Sequence, residues 1–101
     1  MDHKKELDEL TAVVLREGAS DIHISEGRKP FIRVSGLLIS LSKSVYTRVD
    51  LENFLSLMLR PDQKEKFYKD KSVDFSWSHG PDARFRCNAF FQKGAMSIAM
   101  R

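Results

Sequence analysis

Apolar positions along the chain switch between helical and strand spacing. Between Lys4 and Glu17, Leu7, Leu10, Val13 and Val14 recur at helical intervals, with Lys, Glu and Asp opposite. That stretch is expected to form an amphipathic helix stopped by Gly18. From Asp21 to Ile24 the spacing becomes alternating, a strand burying Ile22 and Ile24. Ser25 to Pro30 reads as a loop. Phe31 to Ser35 alternates again, with Ile32 and Val34 on one face, until Gly36 breaks the run. Leu37 to Ser42 supplies a third strand in which Leu37, Ile39 and Leu41 share a face. The short connections make these three strands an antiparallel meander.

Asp50 is expected to cap a second helix carrying Leu51, Phe54, Leu55, Met58 and Leu59. Arg60-Pro61 closes it, because proline disfavours helix in the residue before it. Pro61 suits the first turn of a further short helix, Asp62 to Lys69, that carries Phe67 and Tyr68. Lys64 to Lys71 mixes both charge signs and reads as a solvated face. Ser72 to Ser78 returns to strand spacing, with Val73, Phe75 and Trp77 on one face and Asp74 and Ser76 on the other. His79 to Asp82, with its Gly-Pro pair, is a turn. Helices and strands in this order predict an α+β domain, one antiparallel sheet flanked by helices.

The last stretch, Ala83 to Arg101, reads as a hairpin turning at Lys93-Gly94. Phe85, Cys87, Ala89 and Phe91 fall on one face, Arg84, Arg86, Asn88 and Gln92 on the other; Phe90 is an apolar exception on that second face. A two-residue turn pairs Phe91 with Met96, Ala89 with Ile98 and Cys87 with Met100, all apolar. The same register sets Arg86 opposite Arg101, with Arg84 further along. Like charges directly opposite on a sheet are unfavourable. One reading is that this face meets an anion such as a phosphate, for which the arginine fork is suited. The other is that solvent or a nearby carboxylate, with Asp74 on the preceding strand in reach of Arg86, neutralises the patch.

Length and composition narrow the field. The 101 residues suit one small domain with one core, and 42% hydrophobic with 31% charged residues is ordinary for a globular protein. No apolar run approaches the roughly 20 residues of a membrane span, and the charged N-terminus is no secretory signal. A formal charge of +3 falls short of the dense basic surface of a dedicated nucleic-acid binder. The single Cys87 points inward, which fits a reducing, cytoplasmic setting. The chain stops on a strand pattern without a polar tail, so it is expected to be a fragment of something longer.

The chain carries no phosphate-cradling glycine loop and no Cys/His set with metal-ligand spacing. Asp21 and His23 share a strand face, but two ligands alone do not make a metal site. Ser20, Asp21 and His23 are neighbours on one strand and do not converge as a catalytic triad. His23 reads as a structural hydrogen-bonder. His3 and His79 fall in a terminus and a turn, where solvated histidines are common. Arg28 and Lys29 could touch an anion, with a solvated turn the favoured reading. No complete active site is present.

Three stretches carry a resemblance: ASDIHISEGRKPFIRVSG, DFS at Asp74 to Ser76, and ARFRCNAFFQKG. In their order and spacing they resemble the N-terminal domain of the PilT-like type IV pilus retraction ATPases, within the secretion ATPase superfamily. The resemblance covers nearly the whole chain. It implies a PAS-like domain joined to a RecA-like ATPase domain, assembled as a hexamer in the cytoplasm at the inner-membrane face of the pilus machine. ATP and Mg would bind between the two domains, with the catalytic loops in the second. Partners would be the chain's own ATPase domain, neighbouring subunits and the pilus inner-membrane platform protein; no nucleic acid is expected. The resemblance also implies that arginines of this domain reach the bound phosphates, and Arg84, Arg86 and Arg101 match the arginine-bearing segment. Asp21 and His23 match the ASD-x-H marker, with a structural role favoured over a catalytic one.

Two other functions compete. A stand-alone PAS-like sensor or adaptor would hold a small ligand in its core, yet no cofactor ligand stands out and Cys87 and the methionines read as packing. An RNA-binding sheet would use Arg-Phe-Arg with Phe90, but its glycines are missing and Phe85 and Phe91 point to the core.

Overall fold

The computed structural model describes residues 1–81 and 83–101, so Asp82, the last residue of the expected turn, lies outside the described residues. Three helices, α1 (His3–Glu17), α2 (Arg48–Met58) and α3 (Pro61–Asp70), accompany six strands. These are β1 (Asp21–Ser25), β2 (Phe31–Val34), β3 (Leu37–Ser40), β4 (Ser72–His79), β5 (Ala83–Gln92) and β6 (Ala95–Met100). They form one sheet in the order β3-β2-β1-β6-β5-β4, antiparallel at every junction. The expected meander, β1 to β3, is therefore joined to the strand and hairpin of the second half, β4 to β6, through β1 and β6. This long-range pairing leaves no trace in local periodicity.

Local chemistry explains most boundaries. Asp2 caps α1 by accepting from the Lys5 amide at 3.1 Å, and Gly18, with φ at +63°, closes the helix in the left-handed region. The start of α2 corrects the sequence reading. Thr47, not Asp50, is the cap: its hydroxyl accepts from the Asp50 amide at 3.2 Å, and the Asp50 carboxylate accepts from the Thr47 amide at 2.9 Å. Both residues serve one capping box, and the helix begins three residues earlier than expected. The β2–β3 and β5–β6 hairpins turn on Ser35-Gly36 and Lys93-Gly94, all four with positive φ, the mirror-image turn that matches strand twist.

The helices cover one face of the sheet. Ile22, Ile24, Ile32, Ala89, Met96, Ile98 and Met100 from the strands meet Leu7, Leu10, Leu51, Phe54 and Phe67 from the helices in a single core. Tyr46, fully buried, sits edge-on to Phe54 and donates its hydroxyl to Glu6 at 2.6 Å. Two expectations change here. All four residues of β3 are exposed, Leu37, Leu38 and Ile39 among them, because this edge strand lies beyond the cover of the helices. His3 and His79 are held rather than freely solvated: His3 contacts Asp50 at 2.8 Å and His79 contacts Asp8 at 3.3 Å.

Candidate functional site

The second face of the sheet carries the polar half of every strand pattern and no helix. Its residues are half-buried on the central strands and exposed on β4 and along the arginine half of β5. Strand register arranges them in rows. One row runs Asp74, Asn88, Ala99, His23, Phe31, Ser40. The next runs from Ser76 to Arg86 and Arg101, and continues past the Ile22–Met100 pair to Asp21, Arg33 and Leu38.

The expected arginine pairing is present. The Arg86 amide donates to the Arg101 carbonyl at 3.1 Å, and the Arg101 amide donates back at 2.9 Å. Asp74, which one sequence reading places in reach of Arg86, borders one open recess with that arginine but forms no ion pair with it. It faces Asn88, whose amide nitrogen donates to it at 2.7 Å, while Arg86 faces Ser76. Among the described residues, none of Arg84, Arg86 and Arg101 forms an ion pair. Arg33, Arg48 and Arg60 do, with Asp21, Glu26 and Asp62.

The three arginines do not share one setting. Arg86 and Arg101 border an open recess of about 600 Å³, together with His23, Asp74, Asn88 and Phe90. Arg84 and Arg101 border a second of about 350 Å³, beside Val14, Gly18 and Ala19. Those last residues belong to the final turn of α1 and the cap that follows it, where the Val14 carbonyl accepts from the Gly18 and Ala19 amides. Arg101 borders both recesses, Arg86 only the larger and Arg84 only the smaller.

Asp21 and His23 lie beside this patch and are bonded to each other. The Asp21 carboxylate contacts His23 Nε2 at 2.6 Å, accepts from the Ser20 hydroxyl at 2.6 Å and pairs with Arg33 at 3.4 Å. Burial opposes its ionisation, but the Ser20 and His23 hydrogen bonds and the nearby cations outweigh burial and hold its pKa below the usual carboxylate value. His23 stacks on Phe31, ring centres 4.8 Å apart, with Arg28 over the far ring at 6.0 Å. Arg33 was missed as a member of this group; antiparallel pairing of Asp21–Ile24 with Phe31–Ser35 is the signal that places it there.

A second arginine missed from sequence holds the hairpin. Arg48, at the start of α2, donates to both Glu26 carboxylate oxygens, at 3.0 and 3.2 Å, and to the Gly94 carbonyl at the hairpin tip. It lies over Phe91, which stacks on Phe67 at 4.8 Å. Cys87 is buried, and burial pushes its thiol pKa up to about 12, so it is a packing residue and not a nucleophile. Among the described residues, no group of three or more His, Cys, Asp or Glu is placed to hold a metal ion, and no helix is long and apolar enough to cross a membrane. The donor set of the open face is guanidinium, which suits a polyphosphate rather than a metal cation.

Three helices on one face of a six-stranded antiparallel sheet match the fold of the N-terminal domain of a pilus motor. The chain superposes on the crystal structure of the pilus retraction motor PilT with bound ADP at a TM-score of 0.83 and 29% identity, over 93% of this chain and 28% of that one. The ATPase DotB of Legionella pneumophila shares the fold, with a TM-score of 0.80 and 24% identity over 94% of this chain and 27% of that one. In sequence, the chain is 32% identical over 94 residues to the type IV pilus retractation ATPase PilT of Pseudomonas aeruginosa, covering 92% of this chain and 27% of that protein. It is 23% identical over 96 residues to the type IV pilus ATPase PilU of the same organism, covering 95% of this chain and 25% of that protein. No family model matches the chain. The chain is homologous to the N-terminal region of PilT, and spans about a quarter of the length of these curated relatives.

Proposed function

We propose that the chain is the PAS-like N-terminal domain of a hexameric type IV pilus retraction ATPase whose RecA-like ATPase domain follows it. In this reading ATP and Mg bind between the two domains. The open face of the sheet closes on the phosphates, and rigid movement of this domain against its ATPase domain and neighbouring subunits transmits force. The assembly works in the cytoplasm against the inner-membrane platform protein of the pilus. The observation that carries the reading is the Arg86–Arg101 pair: like charges held side by side by backbone bonds, with no ion pair among the described residues, at the rim of an open recess. Such an arrangement is destabilising until an anion arrives.

Of the arginines, Arg86 and Arg101 are assigned to phosphate. Arg84 is assigned a lesser share, because it does not border the larger recess. The chain's own contribution is charge and positioning: the guanidinium forks stabilise negative charge that develops on the transferring phosphoryl group. Asp21 and His23 hold the neighbouring strand face and do not take part in proton transfer.

The test begins by sequencing the gene beyond codon 101. A strand followed by G-x-x-x-x-G-K-S/T is expected there. The single variants Arg84→Ala, Arg86→Ala and Arg101→Ala are then made in the full-length protein. ATP turnover should fall at least roughly 100-fold for Arg86 or Arg101, in line with arginines that act on transition-state charge. A stop codon before any such loop, or turnover within twofold of wild type for all three, overturns the reading.

A further inference from the structure

Strand β3 ends the sheet on one side and differs from the other edge, β4. The outward-facing residues of β4 are Ser72, Asp74, Ser76 and Ser78, polar or charged. In β3, Leu37, Leu38 and Ile39 are 69, 59 and 44% exposed, and the stretch from Gly36 to Ser42 has no charged residue. An edge that is apolar on both faces and lacks charge, proline or a bulge is open to pairing with another strand.

Hydrogen-bond phase shows which groups the edge offers. The Leu41 amide donates to the Pro30 carbonyl at 2.9 Å. Bonded pairs alternate along an antiparallel ladder, so Ile32–Ile39 and Val34–Leu37 are also bonded pairs. Leu38 and Ser40 therefore turn their amides and carbonyls away from β2, into the open edge.

We propose that β3 is a strand-addition site for a second copy of this chain, joining two sheets across a two-fold axis at Ile39. This goes beyond the motor reading and does not depend on it. The sequence is self-complementary in this register. Leu38 of each copy meets Ser40 of the other, and all four outward backbone groups of each strand find partners. On the helix side, Ile39 meets Ile39, and Leu37 meets Leu41, an apolar ladder. The flanking cations do not oppose the approach. Arg33 is paired with Asp21 at 3.4 Å, and Lys43 with Glu9 and Glu6 at 2.7 and 3.1 Å. Self-pairing therefore brings no bare like charges together. A four-residue strand falls well short of the ~800 Å² per partner of a standard interface, so the dimer is weak.

Sedimentation equilibrium of the 101-residue chain from ~10 μM to ~1 mM tests this range of weak association. Wild type should be monomeric at the dilute end and approach twice the monomer mass at the concentrated end. Amides of Leu38 and Ser40 should gain protection from hydrogen exchange over the same range. Ile39→Lys sets two like charges across the axis, and Ser40→Pro removes an outward donor that the fold itself does not use. Both variants, with circular dichroism matching wild type, should stay monomeric throughout. A wild type that is still monomeric at the top concentration overturns the proposal and leaves the edge to a different partner. Dimerisation that persists in both variants overturns it equally, since another surface is then responsible.

Discussion

Replacing Tyr46 with Phe removes one oxygen from the interior and nothing else. The ring keeps its edge contact with Phe54, 5.2 Å between centres. What disappears is the hydroxyl donating to the Glu6 carboxylate at 2.6 Å, a bond between a fully buried side chain and a carboxylate whose side chain is 14% exposed. Hydrogen bonds to charged partners are worth about 1.5–3 kcal/mol net. Lys43 still donates to Glu6 at 3.1 Å, so the carboxylate is not orphaned and the lower half of that range applies. The expected loss is about 2 kcal/mol, which for a domain of this size lowers Tm by roughly 8–16 °C. The pH dependence adds a second signature. Burial, then the Glu6 hydrogen bond, raise the Tyr46 pKa well above the usual tyrosine value. A folded pKa raised above the unfolded one gives stability that is complete below about pH 10 and lost as pH rises beyond it, because only the unfolded chain ionises there. The gap between wild type and Y46F should therefore narrow above about pH 10. Urea unfolding followed by circular dichroism between neutral pH and about pH 11 measures both effects. A Y46F protein within ~0.5 kcal/mol of wild type at neutral pH, or a gap that widens with alkali, refutes the reasoning.

Other substitutions test other parts of the molecule. Thr47→Ala removes the hydroxyl that caps α2 and should cost about 1 kcal/mol by urea unfolding, whereas Asp50→Ala should cost more, because it also releases His3. Gly94→Ala meets no atom within 4 Å, so its penalty is conformational: φ of +79° should make it cost roughly 1–2 kcal/mol, read as a fall in urea midpoint. The Asp21, Glu26 and Asp50 carboxyls are all held below their usual values by hydrogen bonds and cations, despite burial. Their stabilisation is complete above the unfolded carboxylate range and should drain away in a titration below about pH 4. Cys87 should resist thiol reagents at pH 8 in the folded chain and react in urea at the rate of an ordinary cysteine, since burial raises its pKa to about 12.

Much of the fold is legible because each element announces itself locally. The terminal hairpin is the clearest instance: alternation and the Lys93-Gly94 turn fix the pairing of Cys87 with Met100, and with it the placing of Arg86 beside Arg101. Thr47 was readable too, as a capping box with Asp50 three residues on, yet the acidic residue nearer the apolar run drew the assignment. The exposure of Leu37 and Ile39 was not readable. Alternation says that residues share a face, but only the reach of the helices decides whether that face is covered. The Asp74–Asn88 contact and the Arg48 clasp on Glu26 and Gly94 were hidden for a related reason. The first depends on the exact register of β4 on β5, and the second on long-range neighbours brought together by the β1–β6 junction, which joins residues more than 70 positions apart. For the candidate site, the residue types were visible in sequence, whereas the division of Arg84 and Arg86 between two recesses needed the folded sheet and helices in place.

A sheet packed on one side only divides its residues into two populations under different constraint. Every large apolar side chain that holds the domain together is on the helix side, where a lost methylene is felt throughout the core. On the bare side, Arg84, Arg86, Ser76 and their neighbours contribute little to folding, and exchanges there fall in the range that folding tolerates. Folding alone therefore constrains the exposed positions of the bare side weakly, and what limits them is what that side binds, while the packed side stays in register. One packed core can then carry different bare faces by changing only the residues that never see its interior. A survey of tolerated substitutions, position by position, should show this as a period of two along β5.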